Sequence, residues 1–344
     1  MLSCGLLSAS RSHPPTDSRT DPHIYCRRVR LSKAIRATAW GMVAAGVAAP
    51  LVRKRVKAPP LVMQTIAYGA PVGLAVAMRR SRSRDVAVCM LQMWAYVAAY
   101  KSPHDDAEEQ GARVHVDYPI VGDRILGLGE LPTVRLQRAL ARTGEDGPEW
   151  RALDRVLVWA HWSWFMVPHG AVAYVLWRHP ERFPRAAAMT YSVFDVGAIF
   201  YWVLPTAPPW YAATAALRPD GELPLVRRMM VEYGEDFWQD GWTSLYSVFG
   251  GNPLAAMPSL HFATSVMAAL LLAECGPVAG ALGAAYAATL GVALVYLGEH
   301  YVVDLLAGAA LTGVVRRLGP RLAPAFGAGR RAVAALEEMA HATA

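Results

Sequence analysis

Apolar positions are distributed unevenly along the 344 residues of this chain. They gather into eight runs, at 38–52, 60–78, 86–100, 156–177, 186–204, 260–273, 278–297 and 301–315, while Arg, Asp and Glu collect between them. The longer runs suffice to cross a hydrocarbon core about 30 Å thick at about 1.5 Å per helical residue. Glycine and alanine recur within them, most densely at 278–297, which suits close helix contact in lipid. The pattern predicts an all-α fold, a polytopic transmembrane helical bundle.

Lysine and arginine near the ends of the runs orient the bundle. Arg79, Arg80, Arg82 and Arg84 stand at one turn, Arg178, Arg182 and Arg185 at a second, and Arg316, Arg317 and Arg321 after the last run. These places are expected to be cytoplasmic. The loops 101–155 and 205–257 then face outward, and in each the acidic residues outnumber the basic ones. Arg53, Lys54, Arg55 and Lys57 break the rule if 38–52 spans. Within the first outer loop, apolar residues among arginines over 123–143 allow either a helix lying on the membrane surface or a solvated connection, since Gly127, Gly129 and Pro132 interrupt the pattern.

Composition supports this class. The chain is 54% apolar and 18% charged, against about 45–50% and about 25% in soluble domains. The net charge of +7 does not point to nucleic acid, because the arginines flank apolar runs instead of forming one basic domain. Cys4, Cys26, Cys89 and Cys275 have neither paired nor metal-ligand spacing. The expected organisation is a disordered basic tail at 1–33, N-terminal membrane segments at 34–100, an outer loop at 101–151, a catalytic membrane core at 152–316 and a cytoplasmic tail at 317–344.

Three short stretches carry the candidate chemistry: Leu204-Pro-Thr-Ala-Pro-Pro-Trp-Tyr211, Met257-Pro-Ser-Leu-His-Phe262 and Gly298-Glu-His-Tyr-Val-Val-Asp304. Run counting brings all three to one membrane face. His300 and Asp304 are four apart, so on a helix they share a face, and a carboxylate there can fix one imidazole nitrogen and free the other as a nucleophile. The spacing alone is weak, because His13 and Asp17 repeat it. A second imidazole, His261, on the same face supplies the proton donor that a two-step transfer needs. Ser259, opening a helix, offers a hydroxyl cap and amides that favour an anion. His161, His169 and Asp195 lie inside apolar runs, and His161 and Asp195 fall at similar depth, where they could pair. The acidic group Glu232, Glu235, Asp236 and Asp240 reads as solvated surface, and neither a metal nor any other cofactor is expected.

Pro-Ser-Leu-His at 258–261, His-Tyr-Val-Val-Asp at 300–304 and Pro-Thr-Ala-Pro-Pro-Trp-Tyr at 205–211 resemble, in order, the three motifs of the type-2 phosphatidic acid phosphatase superfamily. They are more similar to those of its inositolphosphotransferase, inositol phosphorylceramide synthase-like branch, over about 152–316. The resemblance implies a six-helix phosphatase-type core with extra N-terminal membrane segments. It implies that His300 attacks phosphorus, that Asp304 orients it, and that His261 protonates the departing oxygen and deprotonates the incoming hydroxyl. The lysine and arginines of phosphatase members are not matched: Leu294 stands six before His300, and Tyr211, not lysine, stands seven before Arg218. Arg227, Arg228 and Arg218 are the expected substitutes at the phosphate, with Ser259 and Tyr211 beside them. The expected function is phosphotransfer of a head group, such as phosphoinositol, between lipids through a phosphohistidine. A lipid phosphate phosphatase acting on phosphatidic acid or a polyprenyl phosphate is the alternative within this chemistry, and a non-enzymatic lipid-binding protein or transporter the alternative outside it. The expected partner is a phospholipid or prenyl-phosphate substrate in the plasma membrane, with the site on the extracytoplasmic face, and the sequence does not fix an oligomeric state.

Overall fold

The computed structural model describes residues 22–342 except 54, 57, 102–112, 146, 215–224, 250–251 and 253. Among the described residues, fifteen helices and one small hairpin form a polytopic helical membrane protein. The chain divides into two units, residues 1–98 with 322–344, and residues 99–321.

In the first unit, α1 (Pro22–Val52), α2 (Pro60–Ala77) and most of α3 (Arg82–Lys101) are joined by the last helix, α15 (Gly327–His341). Ala39, Val76, Ala77 and Ala340 bury a small apolar centre, with Ile35 and Val333 against it. The Ser32 hydroxyl donates to the Ala340 carbonyl at 2.7 Å, and Arg84 donates to Glu337 at 2.8 Å and to the Ala75 carbonyl at 3.1 Å. These contacts correct one expectation. Residues 22–33 are not disordered but helical, because packing against α15 offsets the entropy of ordering them. Residues 327–341, within the segment expected as a tail, form a helix with Ala340 buried. Residues 1–21 lie outside the described residues.

The second unit contains α4 (Asp117–Leu126), α5 (Pro132–Leu140), a hairpin of β1 (Arg142–Gly144) and β2 (Gly147–Glu149), α6 (Ala152–Trp162), α7 (Met166–Arg178), α8 (Phe183–Val203), α9 (Pro209–Ala212), α10 (Met229–Trp238), α11 (Gly241–Phe249), α12 (Leu260–Cys275), α13 (Pro277–Tyr296) and α14 (Val302–Leu322), whose last residue falls in the first unit. Helix α12 packs against α7, α8 and α13, and α13 against α6. Leu290, Leu294, Tyr296 and Phe194 are fully buried there. The Tyr296 hydroxyl donates to the buried Asp154 carboxylate at 2.6 Å, and the same carboxylate caps α6 through the Arg151 amide.

Four helices among the described residues are long and apolar enough to cross a membrane, those containing Tyr25–Val52, Pro60–Ala77, Phe183–Val203 and Pro277–Tyr296. The other predicted runs fall on helices that are shorter, broken or charged. Helix α12 has 16 residues, α3 opens with Arg82, Arg84 and Asp85, and α14 carries Asp304 at one end and Arg316, Arg317 and Arg321 at the other. The run 156–177 is interrupted at Ser163–Phe165, where α6 stops and α7 begins, and Pro168 sits in the first turn of α7 where no intrahelical donor is needed.

Segment 123–143 is neither one surface helix nor a solvated loop. Helices α4 and α5 meet at a turn with Leu128 at φ 56° and Gly129 at φ 99°. They bury Ile120, Leu131 and Val134 with Ala207, Val226 and Tyr301. The chain therefore folds α4 and α5 down against the motif stretches, with Tyr118 also reaching Thr206 and Met257. The proline-rich segment is drawn in on both sides: the His115 and Ala207 amides bond the Pro205 and His115 carbonyls at 2.9 and 3.0 Å, and the Thr206 amide bonds the Leu254 carbonyl at 2.9 Å.

Candidate active site

The start of α12 is set by local chemistry. Ser259 has the extended backbone of a helix cap, and its hydroxyl accepts from the Phe262 amide at 3.3 Å. This is the bond a serine cap makes to satisfy an otherwise orphan amide. The Ser259 amide donates to the Asp304 carbonyl at 3.0 Å, and α14 comes so close that a Cβ on Gly308 would stand 2.5 Å from the Ser259 carbonyl oxygen. Only glycine permits that approach, and it locks the PSLH stretch onto the HYVVD stretch.

The start of α14 is built from two carboxylates. Asp304 is the third helical residue and accepts from the amide of Tyr301, the capping position, at 2.9 Å. Asp123 reaches over from α4 and accepts from the Val302 and Val303 amides at 3.0 and 2.9 Å. Both carboxylates are fully buried. Burial is the main reason that the Asp123 carboxyl is pushed up to about 6, against the two amide bonds, and the nearby Asp304 charge adds to the rise.

Before α14 the chain leaves α13 through Gly298 at φ 83°, where a Cβ would collide with the Arg227 carbonyl oxygen at 2.6 Å. That turn lands His300 at the foot of α14. The expected contact with Asp304 is present, but not as a helix-face pair: His300 precedes the helix, and its Nδ1 lies 3.3 Å from Asp304 Oδ2, the oxygen that also caps the Tyr301 amide. His300 Nε2 lies 3.1 Å from His261 Nδ1, with the two rings at 63°. With Asp304 ionised, His300 donates its Nδ1 proton to the carboxylate and turns an Nε2 lone pair toward His261. The three groups form one line, carboxylate to imidazole to imidazole.

His261 is enclosed by rings. Trp164 lies 4.1 Å from it, centroid to centroid, and His161 stacks on it at 5.1 Å and 26°. The Trp164 indole is held by a 2.9 Å bond to the Thr264 hydroxyl. The expected pairing of His161 with Asp195 does not form, since neither imidazole nitrogen of His161 has a hydrogen-bond partner among the described residues. The break after Trp162 turns this stretch toward α12.

The expected phosphate arginines separate. Arg228 places its guanidinium 3.9 Å over the Trp210 ring, donates to both Glu299 oxygens at 2.9 and 3.2 Å, and donates to the Tyr246 hydroxyl at 2.6 Å. It thereby lies against the residue adjoining His300. Arg227 turns instead to Glu232 at 2.5 Å and the Trp150 ring at 5.9 Å, while its backbone is held on both sides by the Gln137 amide group. Tyr211 is partly buried in the cluster that contains Tyr301. Arg218 lies outside the described residues.

Sequence reasoning assigned no role to Asp123, Gln137, Glu299 or Trp164. Glu299 could have been found, as it adjoins His300 within a quoted motif. Asp123 and Gln137 have no local signature, because each serves backbone groups more than 85 positions away.

The segment that holds this arrangement is similar to known proteins. The PAP2 superfamily model matches residues 149–318. The chain is 32% identical over 127 residues to the inositol phosphorylceramide synthase catalytic subunit of Saccharomyces cerevisiae, covering 35% of this chain and 30% of that protein. It is 27% identical over 157 residues to inositol phosphorylceramide synthase of Candida albicans, covering 43% and 32%. It is 30% identical over 132 residues to phosphoinositol dihydroceramide synthase of Bacteroides thetaiotaomicron, covering 37% and 42%. The chain thus spans about a third of the length of the curated relatives it matches. No solved structure matches. Residues 149–318, which contain His261, His300 and Asp304, are a domain of the PAP2 superfamily homologous to inositol phosphorylceramide synthases.

Proposed function

We propose that this protein is a membrane phosphotransferase that moves a phosphoryl head group, phosphoinositol, from a phospholipid to the hydroxyl of an acceptor lipid. The observation that carries this reading is the line Asp304, His300, His261, with contacts of 3.3 and 3.1 Å. In the first step His300 Nε2 forms a bond to phosphorus and the bond from phosphorus to the lipid oxygen breaks. His261 gives its proton to that oxygen, releasing the lipid alcohol. Asp304 holds the positive charge that develops on His300. In the second step the acceptor hydroxyl loses its proton to His261, its oxygen bonds phosphorus, and the nitrogen leaves. Phosphorus takes the place of the His261–His300 contact, so the departing oxygen comes next to His261 and the attack is in line.

Arg228, flat on Trp210 and paired with Glu299, is the cation we assign to the phosphoryl oxygens. Two of its donors remain after the contacts to Glu299 and Tyr246. Arg227 and Arg218 are secondary candidates, and Ser259 and Tyr211 complete the wall. The head group follows from the relatives, two inositol phosphorylceramide synthases and a phosphoinositol dihydroceramide synthase. The arginines at 79–84, 178–185 and 316–321 support a plasma-membrane protein with the site on the extracytoplasmic face.

The test is incubation of the purified full-length chain with phosphatidylinositol labelled in the head group and a lipid alcohol. A labelled phosphodiester lipid and an acid-labile labelled protein are expected. If this incubation gives no new lipid and a parallel one with phosphatidic acid releases inorganic phosphate, the phosphatase replaces the transferase.

A further inference from the structure

His161 is the polar residue of this neighbourhood that the mechanism leaves without work. It is the last residue but one of α6, and lies face-on to His261 with ring centres 5.1 Å apart at 26°. The other ring on His261, Trp164, has its own hydrogen bond to Thr264. His161 has none: both nitrogens are shut away from solvent and without a partner among the described residues. Buried donors and acceptors are rarely left unmade in a folded protein. A phenyl ring would give the same stack with no polar atoms to satisfy, so stacking alone does not account for an imidazole here. The proximal charged and titratable groups, Glu299, His300 and Arg228, are already committed to one another or to the line through Asp304.

We propose that His161 is a substrate-binding residue that hydrogen-bonds a second polar group of the acceptor lipid, a hydroxyl or amide near the reacting hydroxyl. This rests on the phosphotransfer reading. His261 exchanges a proton with the oxygen opposite His300, which is the lipid alcohol oxygen and not a head-group oxygen. A ring stacked on His261 therefore lies on the lipid alcohol side. Because the two imidazoles are nearly parallel and about 5 Å apart, the group that meets His161 lies about that far from the reacting oxygen, a spacing of two or three carbons along the alcohol. His161 forms and breaks no covalent bond. It selects an alcohol with a neighbouring hydrogen-bonding group over a plain alcohol and over water.

The experiment compares two acceptors with the full chain: an N-acyl sphinganine, which has an amide and a secondary hydroxyl beside its primary hydroxyl, and hexadecanol, which has neither. The native protein is expected to favour the sphinganine derivative by about tenfold in kcat/KM, the value of one ordinary hydrogen bond. His161→Phe, which keeps the stack, is expected to erase that preference while turnover of hexadecanol stays within about threefold, and to raise the share of head group lost to water. His161→Gln, which keeps a donor and an acceptor, is expected to restore part of the preference and serves if the phenylalanine variant does not fold. Retention of the full preference by His161→Phe, or an equal loss with both acceptors, would overturn the proposal. If the native protein forms no phosphodiester lipid from either acceptor, the transferase reading fails by itself. The same comparison is then read on cleavage of the monophosphate esters of the two alcohols, where His161→Phe is again expected to remove the difference.

Discussion

The two helices that bring the imidazoles together begin in opposite ways. Helix α12 starts on a hydroxyl, Ser259, and its second residue is His261. Helix α14 starts on two buried carboxylates, Asp304 and Asp123, which take the amides of Tyr301, Val302 and Val303. A helix start carries partial positive charge. At α14 that charge is answered by acidic side chains of the protein itself, which leaves no room for a phosphate and instead makes the adjoining His300 electron-rich. At α12 no carboxylate takes an amide among the described residues, the cap being the Ser259 hydroxyl, so the positive end supports a phosphoryl oxygen and keeps a proton source, His261, facing it. Two adjacent helix ends thus divide the work of nucleophile and acid by the charge of their caps.

The severest test of this division is removal of the nucleophile. His300→Ala is expected to reduce transfer by at least about 10⁴-fold and to abolish the acid-labile labelled protein, with insertion and melting unchanged in character. An alanine variant that still turns over would end the assignment. Asp304→Asn comes next. An amide oxygen in the place of Oδ2 can still accept from Tyr301 and His300 but carries no charge to hold the imidazolium, and a loss of about 10³- to 10⁴-fold in kcat is expected with little change in KM. Arg228→Lys is expected to act the other way round, raising KM for the donor lipid by about tenfold or more, because an ammonium cannot make the forked contact with Glu299 and hold phosphoryl oxygens together.

The sequence shows these helix ends unequally. The Ser259 cap and the PSLH order are local, so the start of α12 was legible, as were α8 and α13, whose long apolar runs end within a few residues of where the helices do. The HxxxD spacing of His300 and Asp304 was also legible, but not its geometry: Asp304 is held by the Tyr301 amide at the foot of the helix, which a spacing count on a helix face does not reveal. The break after Trp162 was hidden because apolar residues continue straight through it. What makes it useful is a bond from Trp164 to Thr264, 100 positions on. Asp123 was illegible for the same reason, since its value comes from amides about 180 positions away.

Asp123 gives a pH test of the acidic end. Its carboxyl titrates at about 6 in the fold, above its ordinary value of 3.8, chiefly through burial. A raised value means that the folded protein holds the proton more tightly than the unfolded chain. The stability it contributes is therefore full below about 4 and is lost as pH rises through about 6. Melting followed from pH 4 to 7 is expected to fall over that window, and Asp123→Asn is expected to flatten it. The same variant keeps one oxygen for two amides and is expected to lose about 1–3 kcal/mol at pH 4. A melting profile identical in both proteins would remove Asp123 from the account.

The mildest change falls on the other helix end. In Ser259→Ala the Phe262 amide loses its acceptor at 3.3 Å, and a missing serine cap costs about 1 kcal/mol. If Ser259 serves mainly as a cap, activity drops only a few-fold and follows the loss of stability. If its hydroxyl also donates to the phosphoryl group, KM for the donor lipid rises well beyond that, because the variant loses an O–H donor that the cap bond, in which the oxygen accepts, does not use. The ratio of the two effects, read from melting and from kinetics on one variant, decides how far the neutral helix start is itself part of the binding site. A large rise in KM with no loss of stability would show that the contrast between a capped helix and a charged one had been drawn at the wrong atom.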